Sequence, residues 1–71
     1  MINYEKSLKK AFFNNLRHYN NIIFLAIKDE KYIIISKCVY MIMTHSINAR
    51  SLGIITDNTY NIIKRYYENI I

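Results

Sequence analysis

Few side chains in this sequence are of a type that does chemistry, and their spacing excludes most of what they could do. Cys38 and His45 lie seven residues apart, two turns along one helical side, so a thiol and an imidazole could in principle face one ion. Two ligands are too few, because a zinc site takes four, and nothing in the sequence places His18 beside them. Metal and cofactor binding are therefore not expected. Cys38 reads as a small core hydrophobe, and His45 as a buried or half-buried histidine bonded to backbone or to Asn48. No Gly-rich loop, no carboxylate pair on one face and no nucleophile beside a base is present, so neither an enzyme nor a small-molecule substrate is expected.

The cations are better organised. Ten Lys and Arg stand against five Asp and Glu, a formal net charge of +5, which draws the chain toward a polyanion or an acidic protein surface. Lys6, Lys10 and Arg17 fall on one side of a helical pattern around Phe13, with Lys9 at the edge and His18 nearby. A solvated outer face explains such a stripe. So does a partner surface on which each cation displaces a counterion from phosphate while Phe13 stacks on a base or anchors in a protein pocket.

The stretch from Ala49 to Ile62 resembles the helix-turn-helix motif of DNA-binding proteins: Ala49, Gly53 four residues later, and the apolar residues that follow stand where that motif has them. Two positions depart from it. Thr56 stands three residues after Gly53 where the motif places its cap at two, and Thr59 occupies the place of a buried Val or Ile. The resemblance implies a recognition helix offering Asn58 and Asn61 to a groove and Lys64 and Arg65, late in the helix, to phosphate, with Asp57 opposing the approach. An ordinary αα-hairpin joint is the plainer reading. A ribbon-helix-helix arrangement using Lys31 to Ser36 as its strand is disfavoured, since Tyr32-Ile33-Ile34-Ile35 would turn only apolar side chains and a phenol to DNA.

The elements that must carry these residues follow from apolar spacing. Tyr4, Leu8, Ala11, Phe12, Leu16 and Tyr19 recur at three- and four-residue intervals and predict a helix from about Asn3 to Asn20, with Asn15 in its apolar arc needing a hydrogen-bond partner. Tyr19-Asn20-Asn21 reads as a turn or helix end. The segment after it is ambiguous. Strands over 22–28 and 31–36 would form a hairpin around Asp29-Glu30, giving an α+β alternative. A helix capped by Asp29, running from about Glu30 to Arg50 with acids in its first turn, is preferred, because Asp-Glu is a poor two-residue hairpin turn. Ile34, Cys38, Met41, Ile42, His45, Ala49 and Leu52 continue as one side of it. Gly53 ends that helix as a C-cap, and Thr56 or Asp57 opens a third helix to about Ile70 with Tyr60, Ile63, Tyr66, Tyr67, Ile70 and Ile71 inward.

At 71 residues there is room for one domain, and with 52% of residues apolar either the core is dense or some surface meets another molecule. The longest unbroken apolar runs, six residues each, are far short of the roughly 20 that cross a bilayer, so no membrane span is expected. The first residues lack the order of a secretory signal and a single cysteine suits a reducing compartment, which together predict a cytoplasmic protein. The expectation is thus an all-α, compact three-helix domain over 1–71, its second helix central and covered partly by a second copy. It would act as a non-catalytic binding or regulatory protein with a protein partner, and as a homo-oligomer. A nucleic-acid-binding module and a self-assembling structural protein are the alternatives. By analogy with small phage and mobile-element proteins, inhibition of host machinery by occlusion is one such regulatory role.

Overall fold

The computed structural model describes residues 4–70 as an all-α domain of three helices: α1 (Tyr4–Lys28), α2 (Tyr32–Ser51) and α3 (Asp57–Glu68). The assignments of Asn3 and Ile71 lie outside the described residues. α2 is central, packing on both neighbours, whereas no Cα of α1 comes within 8 Å of one in α3. The domain is elongated and flattened, with principal extents of 46 × 21 × 14 Å.

The first helix does not stop at Asn20. It runs 25 residues to Lys28, through the two asparagines and the segment considered for a strand, and no described residue is in a strand. Asn is a weak helix former, but nothing here breaks a helix, and burial of Ile23 and Ala26 against α2 outweighs a few tenths of a kcal/mol of propensity at each Asn. Asn20 is also held from outside: the Tyr67 hydroxyl donates to its Oδ1 at 2.7 Å.

Asp29 does not cap α2, nor do acids occupy that helix's first turn. Instead Asp29-Glu30-Lys31 ends α1. The Glu30 N–H donates to the Ile27 carbonyl at 3.2 Å and the Lys31 N–H to the Ala26 carbonyl at 2.8 Å, the paired bonds of a Schellman motif. Its left-handed position is Glu30 itself, at φ 57°. Lys31 then stands at the N-cap of α2 with no side-chain cap bond, so α2 begins at Tyr32, two residues later than the spacing predicted.

The α2–α3 joint repeats the device with the residue it favours. Gly53 at φ 75° donates to the Arg50 carbonyl at 3.0 Å, and the Ile54 N–H to the Ala49 carbonyl at 2.8 Å. Thr56 caps α3 as expected, its Oγ1 accepting from the Thr59 N–H at 3.1 Å. α3 closes at Glu68 rather than Ile70.

The core joins Phe12, Ile23 and Ala26 of α1 to Ile35, Cys38, Val39, Ile42 and Ala49 of α2, Ile55 of the joint, and Tyr60, Ile63 and Tyr67 of α3. Full burial of a side chain such as Ile42 contributes about 1.5–3 kcal/mol. Ser46 is wholly buried on the same face of α2 and donates to the Ile42 carbonyl at 2.7 Å, so its hydroxyl is satisfied within the helix.

This inner face of α2 is rotated from the predicted one. Ile34, Met41 and Leu52 are exposed, as are Tyr4 and Ala11 of α1 and Tyr66 of α3. Asn15 is likewise exposed and does not need the buried partner expected for it. Because α2 is apolar on nearly every side in its first half, spacing alone could not choose its inner direction; contact with both neighbours does.

Candidate functional site

Continuity of α1 changes the character of its cationic side. At 100° per residue, Lys6, Lys10, Phe13, Arg17, Phe24 and Lys28 fall within one narrow arc opposite the buried Ala26. Lys6 to Lys28 spans about 33 Å at 1.5 Å per residue. Lys9 borders the arc. Glu5 is the helix's one acid and lies about a quarter-turn away. Lys9, Lys10, Arg17 and Lys28 are exposed and make no ion pair with any described residue.

Two phenyl rings interrupt the cations. Phe13 is 41% exposed and held edge-on against the buried Phe12, with ring centroids 5.1 Å apart. Phe24 is 71% exposed, and it and Lys28 were missed by sequence reasoning because the helix was ended at Asn20. Had the absence of proline and glycine before Gly53 been weighed above the two asparagines, the stripe would have been visible to its full length.

The predicted α3 residues form a separate set. Asn58, Asn61 and Arg65 share the outer side of α3, while Lys64 lies on its flank with Nζ 3.9 Å from a Glu68 carboxylate oxygen. Asp57 is exposed in the first turn, where a phosphate would have to approach. The structure does not bring this set to the α1 stripe, although the Tyr67–Asn20 hydrogen bond links the two helices directly. At the joint, the Arg50 guanidinium lies over the Tyr60 ring, 4.1 Å from its centroid, and is thereby occupied in packing.

His45 is half-buried, and its ring stacks on Tyr19 at 6.1 Å between centroids; no bond to Asn48 accompanies it. Cys38 is buried in the core, which pushes its thiol pKa up by desolvation. Among the described residues no group of three or more His, Cys, Asp or Glu converges. An open cleft of about 300 Å³ separates the start of α1 from the Gly53 joint, with Glu5, Lys6 and Lys9 on one wall and Leu52 and Ile54 on the other.

No family model, curated protein or solved structure matches this chain.

Nor is any helix of the described residues long and apolar enough to cross a membrane.

Proposed function

We propose that this is a non-catalytic binding protein that docks the outer face of α1 on an acidic surface of a partner protein. The observation that carries this reading is the pair of exposed phenyl rings, Phe13 and Phe24, set in a line of cations on one rigid helix. Eleven residues, three turns, separate the rings, the spacing at which a helix offers anchors to a groove. Aromatic anchors supply binding energy once desolvated, while the flanking Lys and Arg speed and orient the encounter. A bound helix of this length covers a partner's surface, so regulation by occlusion is the mode of action the reading implies.

The test is capture of partners from the native host by the tagged protein, with mass and nucleic-acid analysis, repeated with Phe13→Ala/Phe24→Ala and with Lys10→Glu/Arg17→Glu. A specific acidic protein lost with both variants, while helicity is unchanged, is the expected result. Retention of every captured species by both variants would refute it.

The cationic line also favours a second reading, phosphate-backbone binding, because its cations carry no intervening acid. Such binding would fall steeply between about 50 and 200 mM salt. Fluorescence anisotropy with duplex and single-stranded oligonucleotides across that range separates the two readings.

A further inference from the structure

α1 and α3 do not pack on each other. Their Cα atoms stay more than 8 Å apart, and between the second half of α1 and the end of α3 lies an open hollow of about 210 Å³. Ile23, Ile27 and Ile70 give it aliphatic walls, Phe24 and Tyr66 put a ring on either side, and the exposed Asn20 and Asn21 stand at its edge. The Tyr67 hydroxyl donates to Asn20 Oδ1, which leaves the Nδ2 protons of that amide without a partner among the described residues. Arg17 stands one turn before the asparagines and Lys28 one turn after Phe24, both exposed and without an ion pair to any described residue. We infer that this hollow takes one bulky apolar side chain of an acidic partner segment, whose carboxylates lie on Arg17 and Lys28 and one of whose acceptors meets the Asn20 amide. The inference rests on the reading of α1 as the surface for an acidic protein.

Size, walls and charge choose that occupant. Pockets for free small molecules begin near about 300 Å³, so a hollow smaller than this suits a single side chain. A nucleobase carries polar atoms around its edges, and three of the walls are isoleucines, so the edge that enters deepest loses water without gaining a partner. An apolar side chain is stabilised by the same walls. Charge sets the rest of the segment. Arg17, Lys28 and the Asn20 Nδ2 all donate, and the one acid of α1, Glu5, lies at the other end of the helix, so the partner must bring acceptors. At 1.5 Å per residue, Arg17 stands about 10 Å and Lys28 about 6 Å along α1 from Phe24, which puts the partner's two carboxylates about two helical turns and one turn from its anchor. A second copy of this chain supplies no such segment: its one adjacent pair of acids, Asp29-Glu30, is bracketed by Lys28 and Lys31, and two chains of net charge +5 repel.

The probe is a capped helical peptide of about 15 residues with a central Leu and a Glu one turn to one side of it and two turns to the other. It is titrated into the full chain, followed by NMR of the isoleucine methyls, up to about 1 mM. The methyls of Ile23, Ile27 and Ile70 should shift, and exchanging the peptide's Leu for Ala should weaken binding at least about 10-fold. Ile27→Trp changes a residue that is 52% exposed and fills the hollow; it should remove the preference for Leu with helicity unchanged. Arg17→Glu should weaken both peptides by a similar factor. Equal binding of the two peptides, each weakened by Arg17→Glu, would overturn this inference and leave the acidic-partner reading standing. If neither peptide binds, or Arg17→Glu is without effect, both fall together. Oligothymidylate that shifts the same methyls and displaces the Leu peptide would assign the hollow to a base instead.

Discussion

The two inter-helix joints use one backbone geometry with two different residues, and exchanging those residues should move stability in opposite directions. Glu30 holds φ 57°, a left-handed conformation that costs an L residue roughly 1–2 kcal/mol. Glu30→Gly relieves that strain but adds freedom to the unfolded chain, worth about 0.4–1 kcal/mol in the other direction. The net expectation is stabilisation of about 0.5–1 kcal/mol, an upward Tm shift of about 2–8 °C in a domain this small. The helix dipoles add little: Glu30 follows the C-terminus of α1 but precedes the N-terminus of α2, and the two effects oppose. Gly53→Ala is the mirror experiment. At φ 75°, a Cβ there meets nothing within 4 Å, so only the backbone term operates and the loss should be about 0.5–1 kcal/mol. Thermal and urea melts followed by circular dichroism measure both. Destabilisation by Glu30→Gly, or Gly53→Ala without cost, would show that the chain does not turn at these residues as described.

Three other perturbations follow from single contacts. Thr56→Ala removes the Oγ1 acceptor of the Thr59 N–H and should destabilise by about 1 kcal/mol in urea unfolding, with Thr56→Asp restoring most of it. The phenol of Tyr67 is pushed above its ordinary 10.0 by burial and then by the charge of Tyr66; the folded state therefore keeps a proton the unfolded state has released, and stability should fall as pH rises beyond about 10, a fall that Tyr67→Phe reduces. Burial likewise raises the Cys38 thiol above 9.0, so a disulfide reagent at neutral pH should label it slowly and at a rate that climbs with subdenaturing urea.

The parts of this fold that local chemistry dictates were legible. Gly53, Thr56 and the spacing of Tyr60, Ile63 and Tyr67 place the α2–α3 joint and the inner side of α3 without reference to anything distant. The α1–α2 joint was not legible, because the residue that turns the chain is Glu30, which carries no turn signal; its left-handed backbone is imposed by packing of the two helices it connects. Asn20 was misread for the same reason: its helical state is supported by Tyr67, 47 residues away. The cationic stripe was therefore seen only as far as Arg17, and the outer face of α2 was obscured by a helix whose apolar residues point in every direction.

The order of contacts bears on how the chain acquires this shape. α1 meets α2 and α2 meets α3, each pair adjacent along the sequence, so no long loop must be closed before packing is rewarded. Chains of such low contact order fold on a scale of microseconds to milliseconds. The α1–α2 hairpin needs nothing from α3 to form its own contacts, and the bond from Tyr67 to Asn20 ties α3 back to α1 across 47 residues of sequence.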